Sequence, residues 1–182
     1  INALANDFVT HYENRIEEGS TVAGKAMFVS SSRQIAYEFY KAVIALRPEW
    51  AEVKVCADDE KLSEAEEREI KPMEKIKMVM TRGNDDDPEL YELLGTKDYR
   101  KELDRQFKKE KTNFKIAIVV DMWLTGFDAP CLTTMYVDKP MQGANLAQAI
   151  ARVNRVFGDK PGGLVVDYIG IAPQLKEALA TY

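Results

Sequence analysis

Leu4, Phe8, Tyr12 and Ile16 recur at every fourth position, so the pattern predicts an amphipathic helix over Ala3–Glu18, followed by a turn that ends near residue 24. The short apolar run Lys25–Ser31 reads as a strand. Its serine-rich end leads into Ser32–Leu46, where apolar residues return to helical spacing behind a serine suited to cap the first turn. After the turn at Arg47–Trp50, the β-branched residues of Ala51–Asp58 predict a second strand and complete a β-α-β unit.

Residues 58–97 change character. A charged, helix-like Lys61–Ile70, an undecided Met73–Gly83 and the turn cluster Gly83–Glu89 together predict a surface excursion or insertion. Beyond it the spacing predicts a helix over Asp98–Lys111. The near-continuous apolar run Phe114–Met122 then has the pattern of a strand buried on both faces. A strand over Thr133–Pro140, a helix over Asn145–Phe157 and a last strand over Gly162–Gly170 continue the alternation. The expectation is one α/β domain over residues 1–182, a doubly wound parallel sheet with helices on both faces and ligands at the carboxyl ends of the strands.

Composition narrows the function classes. The 182 residues carry a net charge of −5, which argues against a broadly basic nucleic-acid binder, but the charge is uneven. Residues 1–97 hold 13 basic and 20 acidic side chains, and residues 98–182 hold 12 and 10. Any contact with DNA is therefore expected to be local or shared with other parts of a longer protein. The chain opens at Ile1 without a basic leader or a long apolar run, so it reads as an excerpt with neither signal peptide nor membrane span. Cys56, Cys131 and the single histidine, His11, lack metal-ligand spacing, and no metal site is expected in the chain itself.

Two apparent nucleotide motifs are set aside. Gly19–Ala26 fits most of a phosphate loop, but Ala26 replaces the Mg²⁺-binding hydroxyl, and a helix precedes the glycines where a strand should. Asp58–Glu60 follows a predicted strand like a Mg²⁺-holding carboxylate pair. Without a phosphate loop it reads as a solvated helix start.

Two other segments carry chemistry. In Gln148–Arg155, Arg152 and Arg155 lie three apart on a predicted helix and share a face, so two guanidinium groups can reach one polyphosphate. Gln148, one turn earlier, can hydrogen-bond a γ-phosphate oxygen or the attacking water. In Asp121–Pro130, Gly126 opens backbone conformations closed to other residues, Asp128 can accept from a ribose or water, and Thr125 can donate to a DNA phosphate. A helix with ordinary surface arginines and a plain strand-to-loop turn would look similar in isolation. Their joint occurrence after consecutive strands gives the constellation its weight.

These segments resemble motifs V and VI of superfamily two helicases and translocases, and Met27–Phe39 resembles motif IV. Thr125–Pro130, Met135–Pro140, Gln148–Arg155 and Gly163–Gly170 resemble, in order, the motor subunit of type I restriction enzymes. Ala151 stands where general helicases usually have glycine, which favours the restriction family. The resemblance implies a RecA-like, P-loop NTPase-like fold, the C-terminal helicase domain of a two-domain motor. It implies ATP in a cleft shared with a first RecA-like domain, touched from this side by Gly126, Asp128, Arg152 and Arg155, with Mg²⁺ held mainly by that other domain. It further implies double-stranded DNA as track, contacted by Ser30, Ser31, Ser32, Arg33 and Thr125, a nuclease domain in the same chain, methylase and specificity subunits as partners, and a bacterial or archaeal cytoplasm. The chain alone would then be catalytically silent. Two readings compete, another superfamily two motor such as a repair helicase or remodeller, and a non-catalytic α/β binding domain.

Overall fold

A computed structural model describes residues 1–17, 24–58, 60–153 and 163–169. Helix α1 (Asn2–Glu17) precedes strand β1 (Lys25–Ser30) and helix α2 (Arg33–Leu46); α3 (Glu64–Glu69), β2 (Ile76–Val79), α4 (Pro88–Leu94) and α5 (Lys97–Phe107) follow. The remainder is β3 (Ile116–Val119), β4 (Leu132–Asp138), α6 (Gly143–Val153) and β5 (Leu164–Asp167). The five strands form one parallel sheet in the order β2-β3-β1-β4-β5.

The sheet is apolar on both sides because each strand feeds two cores. On β1, Ala26 and Phe28 join a core with α1, α2 and α4, while Met27 and Val29 join the opposite core with α5 and α6. Strand β3 divides likewise, with Ile116 and Ile118 against Ala117 and Val119. This double burial explains the unbroken apolar reading of the run, since period-two alternation is lost when both faces are covered. Helix α2 buries Ala36, Phe39, Tyr40 and Val43, the 3–4 spacing of one helical face, and Ser32 caps it by accepting from the Ile35 amide at 3.1 Å. Helix α1 is turned slightly from the predicted stripe. It buries Ala5, Phe8, Val9 and Tyr12, and leaves Ile16 exposed.

Three expectations are corrected. Ala51–Asp58 is no sheet strand: Pro48–Ala51 forms a 3-10 turn, and the segment makes only an isolated antiparallel bridge, Lys54 to Met73. Val53 and Val55 favour extended backbone, but no layer covers them and both are exposed. The 58–97 segment, expected as a surface excursion, supplies edge strand β2, all four residues of which are buried, and α4, which buries Leu90 and Leu94. Helix α3 behaves as expected, with no buried residue, and so does the Gly83–Glu89 turn cluster. Neither Asp58 nor Glu60 lies at a helix start. That start lies at Ser63, whose reciprocal capping box with Glu66 opens α3, and Glu60 instead reaches Lys115 at 3.6 Å.

Most of the glycine turn before β1 lies outside the described residues. Lys25, the lysine of that apparent phosphate loop, opens β1 and is fully buried, with its ammonium donating to the Gln106 carbonyl at 3.0 Å and to the Thr112 hydroxyl. It is an interior residue. Among the described residues no helix is long and apolar enough to cross a membrane.

Candidate functional site

The loop from Asp121 to Pro130 leaves the carboxyl end of β3 and returns to β4. It is fixed by an alternation of its own, in which Trp123, Leu124, Phe127 and Ala129 are buried while Thr125, Gly126 and Asp128 are exposed. The rings of Trp123 and Phe127 stack at 4.2 Å between centroids and 5° between planes, and Phe107 of α5 packs on both. Anchored by these rings, the loop presents its polar residues outward. Gly126 has φ +72°, and a Cβ there would meet nothing within 4 Å, so the glycine serves backbone conformation and not space. Trp123 also has a positive φ, 70°, unusual for so bulky a side chain and a mark of local backbone strain.

The end of β4 closes on the same loop. Lys139 donates to the Val120 carbonyl and to the Asp121 carboxylate, both at 2.7 Å, tying the segment after β4 to the end of β3. Between them lies a cleft of about 280 Å³ that brings Thr125 together with Asp121, Lys139, Gln142 and Asn145 at the entrance to α6. Just before it, burial raises the Asp138 carboxyl above its ordinary value.

Helix α6 buries Leu146, Ala149, Ile150 and Val153, which turns Asn145 and Gln148 to solvent. The side chain of Arg152 lies outside the described residues. Arg155 and the rest of the predicted helix lie outside the described residues. Thr125 and Asn145 thus meet in one cleft at the carboxyl ends of β3 and β4, the ligand-binding end of open α/β sheets, and Gln148 follows one turn further along α6.

The segment after β1 is more occupied than its sequence suggests. Ser30 is buried and its hydroxyl donates to the Ser32 carbonyl at 3.3 Å, while the Ser32 side chain is the cap of α2. Arg33 grips Asp86 with one nitrogen at 2.6 and 2.7 Å and donates to the Thr81 carbonyl at 2.6 Å. Burial alone would raise the Asp86 carboxyl, but the Arg33 guanidinium and the Gly83 amide together hold it below its usual value. Of the four residues, Ser31 is the exposed one without a structural hydrogen bond recorded for its side chain. The sequence reading missed Lys139 and Asp121, although a lysine and an aspartate at two adjacent strand ends were visible.

The family model for type I restriction enzyme subunit R domain 3 matches residues 22–170. The chain belongs to this family. The type I restriction enzyme HindI endonuclease subunit of Haemophilus influenzae is 47% identical over 182 residues, covering 98% of this chain and 16% of that subunit. The chain thus spans about a sixth of the length of that relative. Among solved structures, a Vibrio vulnificus YJ016 chain described as an HsdR subunit fragment of a type I restriction enzyme superposes with a TM-score of 0.60 at 16% identity, covering 95% of this chain and 28% of that one. The helicase domain of Pyrococcus furiosus Hef gives 0.52 at 10% identity, covering 98% and 28%. The fold is therefore that of the RecA-like helicase C-terminal domain.

Proposed function

We propose that this domain is the second RecA-like motor half of a type I restriction R subunit and contributes to ATP-dependent translocation of double-stranded DNA before cleavage. The observation that carries the reading is the exposed polar pair Asn145 and Gln148 on α6, of which Asn145 lines the Thr125 cleft at the carboxyl end of the sheet. In this reading ATP lies between this half and a first RecA-like half of the same chain. Gln148 orients the attacking water or a γ-phosphate oxygen, and Arg152 and Arg155 neutralise charge that develops on the transferring phosphoryl group. Such guanidinium groups contribute on the order of 10³–10⁵ in rate. Gly126 and Asp128 face the nucleotide from the loop. In this reading Mg²⁺, which would offset phosphate charge, is held mainly by the first half.

Ser31 and Thr125 are the exposed candidates for contacts to duplex phosphates; Ser30, Ser32 and Arg33 act by shaping the strand end and α2. The nuclease domain of the same chain and the methylase and specificity subunits are its partners, in the cytoplasm, and the isolated domain does not turn over ATP. The test is ATP hydrolysis by the full R subunit in its assembled complex, with and without duplex DNA. Arg155→Ala and Gln148→Ala are expected to cut DNA-stimulated turnover by orders of magnitude for the arginine and about 10²-fold for the glutamine, with ATP binding retained. Unchanged turnover in Arg155→Ala would sink the reading.

A further inference from the structure

On the α5 side of the same loop lies a second concavity, about 370 Å³, that the nucleotide reading leaves unused. Lys97, Arg100, Lys101 and Arg105 line it, with Trp123 at its floor. Its one carboxylate, Asp104, is engaged by Lys108 at 2.8 Å, and Arg105 is held by Glu102 at 2.6 Å. Among the described residues no ion pair engages Lys97, Arg100 or Lys101. In a chain of net charge −5, three such cations around one hollow are a local feature and not a general surface property.

Helix energetics does not explain them. Lys97 and Arg100 sit in the first turn of α5, where the positive end of the macrodipole disfavours cations and favours acids. A local choice that works against its own element marks a position kept for another purpose. The strained backbone at Trp123, directly beneath, points the same way. From Lys97 to Lys101 the three cations extend about 6 Å along the helix axis, a row of positive charge complementary to a phosphate backbone. Met122 and Trp123 line this hollow and Leu124 and Thr125 line the other cleft, so one loop contributes to both.

We propose that this cleft docks the sugar-phosphate backbone of duplex DNA, independently of sequence, through Lys97, Arg100 and Lys101. The assignment rests on the reading of the domain as half of a DNA motor. It is tested by fluorescence anisotropy of the full R subunit on two duplexes of unrelated sequence, over about 50–200 mM salt, the range in which phosphate contacts dominate the change in affinity. The variant is Lys97→Gln, Arg100→Gln and Lys101→Gln combined, with Arg155→Ala alongside.

The triple variant is expected to bind both duplexes at least about tenfold more weakly. Its plot of log affinity against log salt should be shallower by about 2–3, since each neutralised phosphate contributes about 0.9. Unchanged affinity and slope would overturn the assignment, even with turnover lost in Arg155→Ala. Normal duplex binding with lost assembly onto the other subunits would also overturn it, making the cleft a protein-docking face. Should Arg155→Ala leave turnover intact, the motor reading fails while the anisotropy still decides the cleft. If the triple variant does not fold, Lys97→Gln and Lys101→Gln singly are each expected to flatten the slope by about one.

Discussion

The ammonium of Lys139 bridges the Val120 carbonyl and the Asp121 carboxylate at 2.7 Å each, so the segment after β4 is latched to the carboxyl end of β3 where the Asp121–Pro130 loop begins. The two halves of this latch differ in kind. Asp121 is 86% exposed and its ion pair is screened by water, whereas the carbonyl sits beneath the lysine stem. Asp121→Asn is therefore expected to change stability by less than about 1 kcal/mol. Lys139→Met removes a charged donor from the carbonyl and is expected to cost about 1–2 kcal/mol. Urea denaturation of both variants checks the order, and equal costs would show that the carbonyl bond adds nothing.

Gly126 gives a cleaner case of backbone conformation acting alone. A Cβ there meets no atom within 4 Å, so Gly126→Ala introduces no clash and its effect comes from φ +72°. The expected loss is about 1–2 kcal/mol, less for Gly126→Asn, because asparagine tolerates the left-handed region better than alanine. Chemical denaturation of the two variants measures this. A neutral alanine variant would mean that the loop relaxes to another conformation.

How much of this was legible in the sequence depended on where the deciding partner lay. Strand β3 and helix α2 announce themselves, because an apolar run buried on both faces and a 3–4 spacing behind a capping serine are local signals. Strand β2 did not, because Lys75 and Lys77 interrupt its apolar residues. Lys77 is buried along its stem, with the ammonium on Glu74 at 2.5 Å and over the Tyr99 ring, an arrangement no single-sequence period encodes. Val53 and Val55 misled in the opposite sense, having strand propensity but no covering layer. In the candidate site, the positive φ of Gly126 and the outward face of Gln148 were readable from residue type and spacing. The engagement of Arg33 was not, since Asp86 is 53 residues away.

Lys25 makes a pH prediction. Burial, the largest influence, holds its ammonium well below the ordinary lysine value of 10.5, while its hydrogen bonds run to the Gln106 carbonyl and the Thr112 hydroxyl. Because the folded value is depressed, the unfolded chain binds more protons at this site between that lowered value and 10.5, so the site's contribution to stability rises with pH across this window and falls away as pH drops. Lys25→Met removes the titration. The stability difference between variant and wild type should therefore shift in favour of wild type from pH 7 to pH 9.5, measured by urea unfolding of both proteins. A constant difference would show that Lys25 titrates normally in the fold.

Arg33 offers the sharpest separation of architecture from DNA contact, because its guanidinium is already committed to Asp86 and the Thr81 carbonyl. The Arg33 side chain is 38% exposed and that of Asp86 10%, so water weakens the pair from one side only. Arg33→Ala is expected to destabilise the fold by about 1 kcal/mol, discounted for that exposure. The Asp86 carboxyl is held below its ordinary 3.8, so the pair's contribution is complete above that value and is lost as pH falls through the lowered one. The stability gap between Arg33→Ala and wild type should then be constant from pH 7 to about pH 5 and close in stronger acid. Duplex affinity of the full subunit separates the roles. A structural Arg33 leaves the salt slope of DNA binding unchanged in Arg33→Ala, whereas a slope shallower by about 0.9 would mean that the guanidinium exchanges Asp86 for a phosphate when DNA arrives.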